Sequence, residues 1–242
     1  MTKIGVIGTG HIAAPMVRFL VRKGHDLTVT KRNEAVSSAL AQSHGVACGT
    51  AQVVIDRSDI LLLCLRPHVA RDVLGSLRFH AHQGIVSVMA GITRSELQGL
   101  CAPAVRIVQT IPLGFLEQGG CPLAAFGDEP LLKALFSPEN PVVSTNSETA
   151  LNAHFAICAM VPGIVDLMAT GAGWLGSETG AEEAAEAYTT QLISGFLATL
   201  PGTLEEARDA LATPNTLSLQ MTDTLREGGA HRALNAALDT IG

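Results

Sequence analysis

The sequence predicts an α/β fold, a doubly wound parallel sheet followed by an all-helical dimerisation domain, and three observations carry that expectation. Short apolar runs alternate with helical patterns through the first half, which is how a parallel sheet covered on both faces reads. Strand signals stop near residue 147, and every later segment has helical periodicity. A glycine-rich turn joins the first apolar run to the first helical pattern.

The expected strands are residues 4–7, 27–30, 60–64, 85–89, 105–110 and 123–126, with 142–145 as a candidate last strand. Residues 60–65 are apolar without alternation, as a strand buried on both faces in the sheet centre should be, and too few to span a membrane. The expected helices of the second part are 147–170, 181–200, 203–212, 216–227 and 230–241. Thr203-Leu-Glu-Glu206 has capping-box spacing, and Pro214 follows that helix. Tyr188, Leu192, Ile193, Phe196 and Leu200 share one helical face, which needs an apolar surface to pack against. These patterns divide the chain into domains 1–146 and 147–242. A helical part of about 95 residues is small for a self-sufficient core, so a homodimer joined through residues 147–242 is expected.

Composition narrows the class. Hydrophobic residues make up 47% and charged residues 16%, as in a globular protein with a substantial core. The most apolar stretch, residues 151–175, carries Asn152, His154, Pro162 and Asp166, so it reads as a buried helix and no membrane association is expected. A strand pattern begins within two residues of Met1, which leaves no room for a signal peptide and points to the cytoplasm. The net charge of −6 conceals an asymmetry: residues 1–145 hold 13 Lys+Arg against 10 Asp+Glu, and residues 146–242 hold 3 against 12. Neither part has the dense cationic cluster that binds phosphate backbones, so no nucleic acid is expected. The five cysteines lack CxxC spacing and read as small core residues.

The turn reads Ile4-Gly-Val-Ile-Gly8-Thr9-Gly10-His11-Ile12-Ala13, a G-x-G-x-x-A fingerprint in its required context, between strand and helix. Gly8 permits the tight turn, Gly10 lets the backbone approach a pyrophosphate, and Ala13 lets the helix pack closely on the strand. The helix start offers free N–H groups and positive dipole to phosphates. This predicts a Rossmann-type dinucleotide domain; a tight turn without ligand is the alternative. The ribose acid usually found about 20 residues on is missing. Lys31, Arg32 and Asn33 stand there instead and suit a 2′-phosphate, so NADP is expected over NAD, a solvated Lys-Arg pair being the bland alternative.

With the fingerprint, three further features complete a family likeness: the strand-end Leu65-Arg66-Pro67, the run Ser87-Val-Met-Ala90-Gly91-Ile92, and the helical tail. Over nearly its whole length the chain resembles the pyrroline-5-carboxylate reductase family, as a divergent member. The resemblance implies an NADP-dependent oxidoreductase that transfers hydride to the C=N bond of a small carboxylated imino acid. It implies that Cys64, Leu65, Arg66 and Pro67 take the places of the family's small residue, Val, Lys and Pro near the nicotinamide, and that Ala90 and Gly91 flank the nicotinamide ribose. It also implies dimers with intertwined helical domains.

The departures cluster where the substrate should lie. The family's Met-Pro-Asn-Thr-Pro loop appears as Ile111-Pro112-Leu113-Gly114-Phe115, and its Ser-Pro-Gly-Gly-x-Thr turn as Thr213-Pro214-Asn215-Thr216-Leu217-Ser218. Leu113, Thr213 and Ser218 are the expected substrate-binding residues, and the sequence singles out no catalytic acid. Two other readings stay open: a noncatalytic NADP-binding protein whose pocket Leu113, Phe115 and Leu217 fill, and a carbonyl (ketoacid) reductase. Residues 147–242 hold no lysine to match the catalytic one of β-hydroxyacid dehydrogenases, which share the opening motif. His80-Ala-His82 lacks the further ligands of a metal site, so no metal is expected. No serine lies in a G-x-S-x-G elbow.

Overall fold

The computed structural model describes residues 1–200 and 202–241; Pro201 and Gly242, both within the expected helical domain, lie outside the described residues. The chain runs β1 (Lys3–Ile7), α1 (Ala13–Arg22), β2 (Asp26–Thr30), α2 (Glu34–His44), β3 (Ala47–Gly49), α3 (Ala51–Asp56), β4 (Ile60–Leu63), α4 (Pro67–Gly75), β5 (Gly84–Ser87), α5 (Arg94–Leu100) and β6 (Arg106–Ile111). A short 3-10 helix (Gly114–Glu117), β7 (Leu123–Gly127), α6 (Glu129–Phe136) and β8 (Val142–Ser144) follow. Helices α7 (Glu148–Thr179), α8 (Glu182–Ala198), α9 (Leu204–Leu211), α10 (Leu217–Glu227) and α11 (Ala230–Ile241) complete it.

One sheet has the order β3-β2-β1-β4-β5-β6-β7-β8. The order reverses between β1 and β4, so crossover helices leave on opposite faces and open a crevice beyond the carboxyl ends of those strands. Its register is continuous: Ile7 lies beside Leu63, Leu63 beside Ser87, and Ser87 beside Gln109. The turns after β1, β4, β5 and β6 therefore share one edge. The sheet departs from the expected parallel pattern at β7, which runs antiparallel to β6. The link from β6 to β7 contains a single 3-10 turn, too short for the helical crossover that a parallel neighbour needs.

Side chains alternate across the sheet with the period of a strand. Val6, Leu62, Val86 and Val108 pack toward α1 and α6, where Phe19 and Phe136 stack with centroids 5.6 Å apart. Leu61, Leu63, Ile85 and Ile107 pack in the opposite cluster, with α3, α4 and α5. The buried Gln83 is fully partnered: its amide donates to the carbonyls of Ile55 (2.8 Å) and Ser58 (2.9 Å), and its oxygen accepts from the His80 N–H. Cys101 and Cys121 are buried. Burial pushes the Cys64 and Cys101 thiols up to about 12, so both stay neutral.

The chain forms two compact units, Met1–Phe155 and Ala156–Gly242. In the second, the buried apolar side chains among the described residues are four alanines, Ala156, Ala172, Ala185 and Ala207. This corrects the expectation that residues 151–175 form a buried helix: they are helical, but Ile157, Val165, Leu167 and Trp174 are exposed. Apolar composition marks a surface that needs covering, and does not say that the same chain covers it. By length and composition α7 suffices to cross a membrane, with a mean hydropathy of 1.7 and 11% of that window buried. It also runs past the expected end at 170, through Gly171 and Gly173, and stops at Gly180, whose positive φ and bond to the Gly176 carbonyl end the helix.

Candidate functional site

The crevice at the β1/β4 switch point is built by the turn after β1. Gly8 has φ +98°, and a Cβ there would lie 2.5 Å from the Cys64 carbonyl oxygen, so both backbone and space require glycine. The Gly8 N–H donates to Thr30 Oγ1 at 3.0 Å, and the buried Thr9 hydroxyl donates to the Thr30 carbonyl at 3.4 Å, which ties the turn to the end of β2. A Cβ on Gly10 would meet nothing within 4 Å, so the backbone there borders open space. Ala13 is buried and lets α1 sit close on the strands. No side chain caps α1 and no acidic residue occupies its first turn, which leaves its positive end for an anion. His11 is exposed, whereas Ile12 packs its side chain on the core and presents only backbone.

A cavity of about 540 Å³ lies among α7, α10 and α11 in the second unit, but its lining is apolar apart from His231, so it lacks the polar groups of a cofactor site. A smaller cavity in the first unit, about 250 Å³, lies against the Gly8 turn and has the chemistry. Gly8, Thr30, Lys31, Arg32, Thr50 and Leu65 are among the residues that line it. Lys31 and Arg32 are exposed, and neither forms a salt bridge among the described residues, so both charges are available at the cavity rim. Asn33 has a second task that the sequence reading missed: its side chain caps α2 by accepting the Val36 N–H at 3.4 Å. Thr50, Gly49 and Val73 are further walls without a sequence signal, because they arrive from β3, α3 and α4.

Farther along the same edge, Arg66 is the exposed N-cap of α4 and Pro67 its first residue. Ala90 and Gly91 are exposed in the turn after β5, held in place where the buried Gln109 donates to the Ile92 carbonyl at 2.9 Å. Leu113 is half-buried against the core, and Phe115 is 49% exposed. In the second unit, Thr213 and Ser218 are exposed at the α9–α10 turn. Asn215 holds φ +66°, the left-handed conformation that a glycine would adopt freely, and Thr216 caps α10 by accepting the Leu219 N–H. This turn therefore holds one left-handed position without a glycine.

His80 pairs with Asp56 at 3.2 Å and stacks on His82, and among the described residues no three His, Cys, Asp or Glu side chains gather as a metal would need. His154 is exposed, its Nδ1 2.7 Å from the Ala150 carbonyl of its own helix, and Glu148 accepts the Arg94 N–H.

Known proteins match this chain in part of its sequence and in its fold. A family model described as NADP oxidoreductase, coenzyme F420-dependent, matches residues 3–91, which contain the whole cradle. Pyrroline-5-carboxylate reductase 1 of Bacillus spizizenii is 31% identical over 118 residues, 46% of this chain. The match spans 40% of that relative's length. Among solved structures, the 1-pyrroline-5-carboxylate reductase of Streptococcus pyogenes superposes with a TM-score of 0.86 at 20% identity, covering 99% of this chain and 96% of that one. The pyrroline carboxylate reductase of Plasmodium falciparum, solved with NADP bound, gives 0.85 at 13% identity, covering 99% and 95%.

Proposed function

We propose that this chain, a divergent member of the pyrroline-5-carboxylate reductase family, is an NADP-dependent reductase of the C=N bond in a small carboxylated imino acid. The observation that carries the reading is the cradle itself: a Gly8 turn with no room for a Cβ, open space at Gly10, an uncapped helix start, and Lys31 and Arg32 at the rim of the adjoining cavity. The donor set fits a dinucleotide with an extra phosphate. Backbone N–H groups of residues 10–13 would hold the pyrophosphate, and the two cations the 2′-phosphate. When bound, the cofactor supplies the hydride. The chain's part is orientation: Leu65, Arg66, Ala90 and Gly91 border the edge where the nicotinamide would lie, Ala90 and Gly91 small enough to let the ribose approach and Arg66 bringing a positive charge.

The substrate end is argued from Thr213, Ser218 and the start of α10, which together offer hydroxyls and helix-start N–H groups to a carboxylate. Leu113 and Gly114 replace polar side chains, so pyrroline-5-carboxylate itself is expected to be a poor substrate. Losing a hydrogen bond to a charged group costs about 1.5–3 kcal/mol, roughly one to two factors of ten in rate. The test is NADPH oxidation with pyrroline-5-carboxylate, pyrroline-2-carboxylate, their six-membered analogues and simple ketoacids, using wild type and Ser218→Ala. Reduction of an imino acid that weakens in Ser218→Ala agrees with the proposal. Efficient pyrroline-5-carboxylate reduction contradicts the reading of the loop, and turnover of ketoacids alone moves the assignment to a carbonyl reductase. NADPH binding without any turnover favours a noncatalytic protein.

We further propose that the protein works as a homodimer joined through residues 147–242, in the cytoplasm and without membrane or nucleic acid. The support is the run of exposed apolar side chains on α7 and α8, which one copy can cover for another. Asn152, His154 and Asp166 on α7 favour a protein partner over lipid.

A further inference from the structure

Three cations line the second half of α1, and carboxylates from about a hundred residues later meet them. Arg18 donates to Glu117 at 2.8 Å through Nε and approaches the same carboxylate at 2.6 Å through its other nitrogen. Arg22 reaches the carboxylate at 3.3 Å and also donates to the Glu117 backbone carbonyl. Lys23 pairs with Glu139 at 2.7 Å, and Glu139 in turn accepts the Gly120 N–H on its backbone carbonyl at 2.7 Å. The 3-10 helix is thus tied to α1 through its last residue and through the turn that follows it. A Cβ on Gly114 would lie 3.9 Å from the Pro15 ring, so the turn also rests on the first turn of α1.

The Arg18–Glu117 pair is no ordinary surface pair. Their side chains are 32% and 18% exposed, and one carboxylate takes two guanidiniums. Solvent and salt screen such a cluster less than an exposed pair. Arg18 beside it holds the Glu117 carboxyl below the ordinary range, against the opposing effect of burial. Glu117 pairs with Arg18 and Arg22 and, among the described residues, with neither Lys31 nor Arg32.

We propose that Glu117 is a positioning residue, which clamps the turn carrying Leu113 and Phe115 onto the helix that opens the dinucleotide cradle. Cofactor and substrate wall then share one rigid support, and anything that sets α1 sets that wall. The role rests on the reading of the cradle as an NADP site. It makes Glu117 matter for the step between cofactor and second substrate, and leaves it without influence on cofactor affinity.

The experiment uses the full chain as wild type, Glu117→Gln, Glu117→Ala and the reversed pair Arg18→Glu with Glu117→Arg. Backbone hydrogen exchange across residues 112–121 is followed with and without saturating NADPH, beside NADPH titration and turnover on the best imino acid. Glu117→Ala should exchange about threefold to tenfold faster there, in keeping with a partly screened pair. Its kcat should fall about tenfold, its NADPH Kd should stay within about twofold, and the reversed pair should recover both exchange and kcat. Unchanged exchange or unchanged kcat overturns the proposal while leaving the functional reading intact. A loss of NADPH affinity equal to the loss of turnover also overturns it, since the cradle itself would then depend on the clamp. Failure of wild type to bind NADPH overturns the functional reading and this role together.

Discussion

Leu61, Leu62 and Leu63 in the first unit are completely buried, whereas Leu167 and Leu192 in the second are 63% and 58% exposed. Both units are rich in apolar residues, yet only the first encloses them. It does so because a sheet offers two faces, each covered by helices of the same chain. The second unit is a set of helices whose buried apolar side chains, among the described residues, are four alanines. Their charge pairing differs in the same sense. Arg18–Glu117 and Lys23–Glu139 join segments 99 and 116 residues apart, while Arg208 pairs with Glu205 and Asp209 on its own helix. The contrast teaches that the first unit encloses its own apolar side chains, while the second, among the described residues, leaves most of its own uncovered.

The largest expected effect breaks the second unit's side of this contrast. Leu192→Asp with Phe196→Asp places two charges on the exposed apolar face of α8. In a lone chain these carboxylates stay in water at little cost. In a dimer they would be buried without partners, at about 3–5 kcal/mol, roughly two to four orders of magnitude in association. Sedimentation should show wild type at twice the chain mass and the variant as single chains. A wild-type monomer at tens of micromolar would remove the dimer, since an obligate interface of about 2,000 Å² or more does not dissociate there.

Gly8→Ala tests the first unit. The added Cβ meets the Cys64 carbonyl oxygen at 2.5 Å and the backbone holds φ +98°. Strain of this kind costs about 1–3 kcal/mol. Thermal unfolding of the first unit should shift down, and NADPH binding should be lost along with the turn's geometry. Wild-type affinity in this variant would mean that the turn is not the cradle.

Much of this organisation was legible in the sequence, and the exceptions have physical causes. Seven of the eight strands stand out as apolar runs, but β3 is three residues long at the sheet edge and half polar in surroundings, so it leaves no periodic trace. Gly8, Gly10 and Ala13 were readable because each answers a local steric demand. Asn33 as a helix cap was readable too, from its place before Glu34-Ala-Val36, and was passed over in favour of a ligand role. Glu117 was not readable, because its partners on α1 are brought to it only by the packing of the 3-10 helix on that element. The exposure of α7 was hidden for a different reason: an apolar run looks the same whether its cover comes from its own chain or from another.

Acid should weaken the first unit in stages, with a smaller effect. Hydrogen bonds from Arg18 and Lys23 hold the Glu117 and Glu139 carboxyls below their ordinary values. Their contribution to stability is whole above about pH 4.3 and is lost as pH falls through the folded values. Burial holds His25 below its ordinary value of about 6.5, so its contribution starts to go earlier, as pH falls below that point. The melting temperature should therefore decline in two stages, and His25→Gln should remove the upper one. A single transition that is unmoved by His25→Gln would contradict the assignment of the upper stage.

If the Gly8 turn and the exposed Lys31 and Arg32 select NADP, as proposed, one titration shows it. NADPH and NADH are titrated against wild type and against the double variant Lys31→Ala, Arg32→Ala. NADPH should bind wild type more tightly than NADH does, and the double variant should lose about 1–3 kcal/mol of NADPH affinity, roughly five- to 150-fold, while NADH binding stays as it was. Equal affinity for the two cofactors in wild type, or an unaltered NADPH affinity in the double variant, would contradict the account.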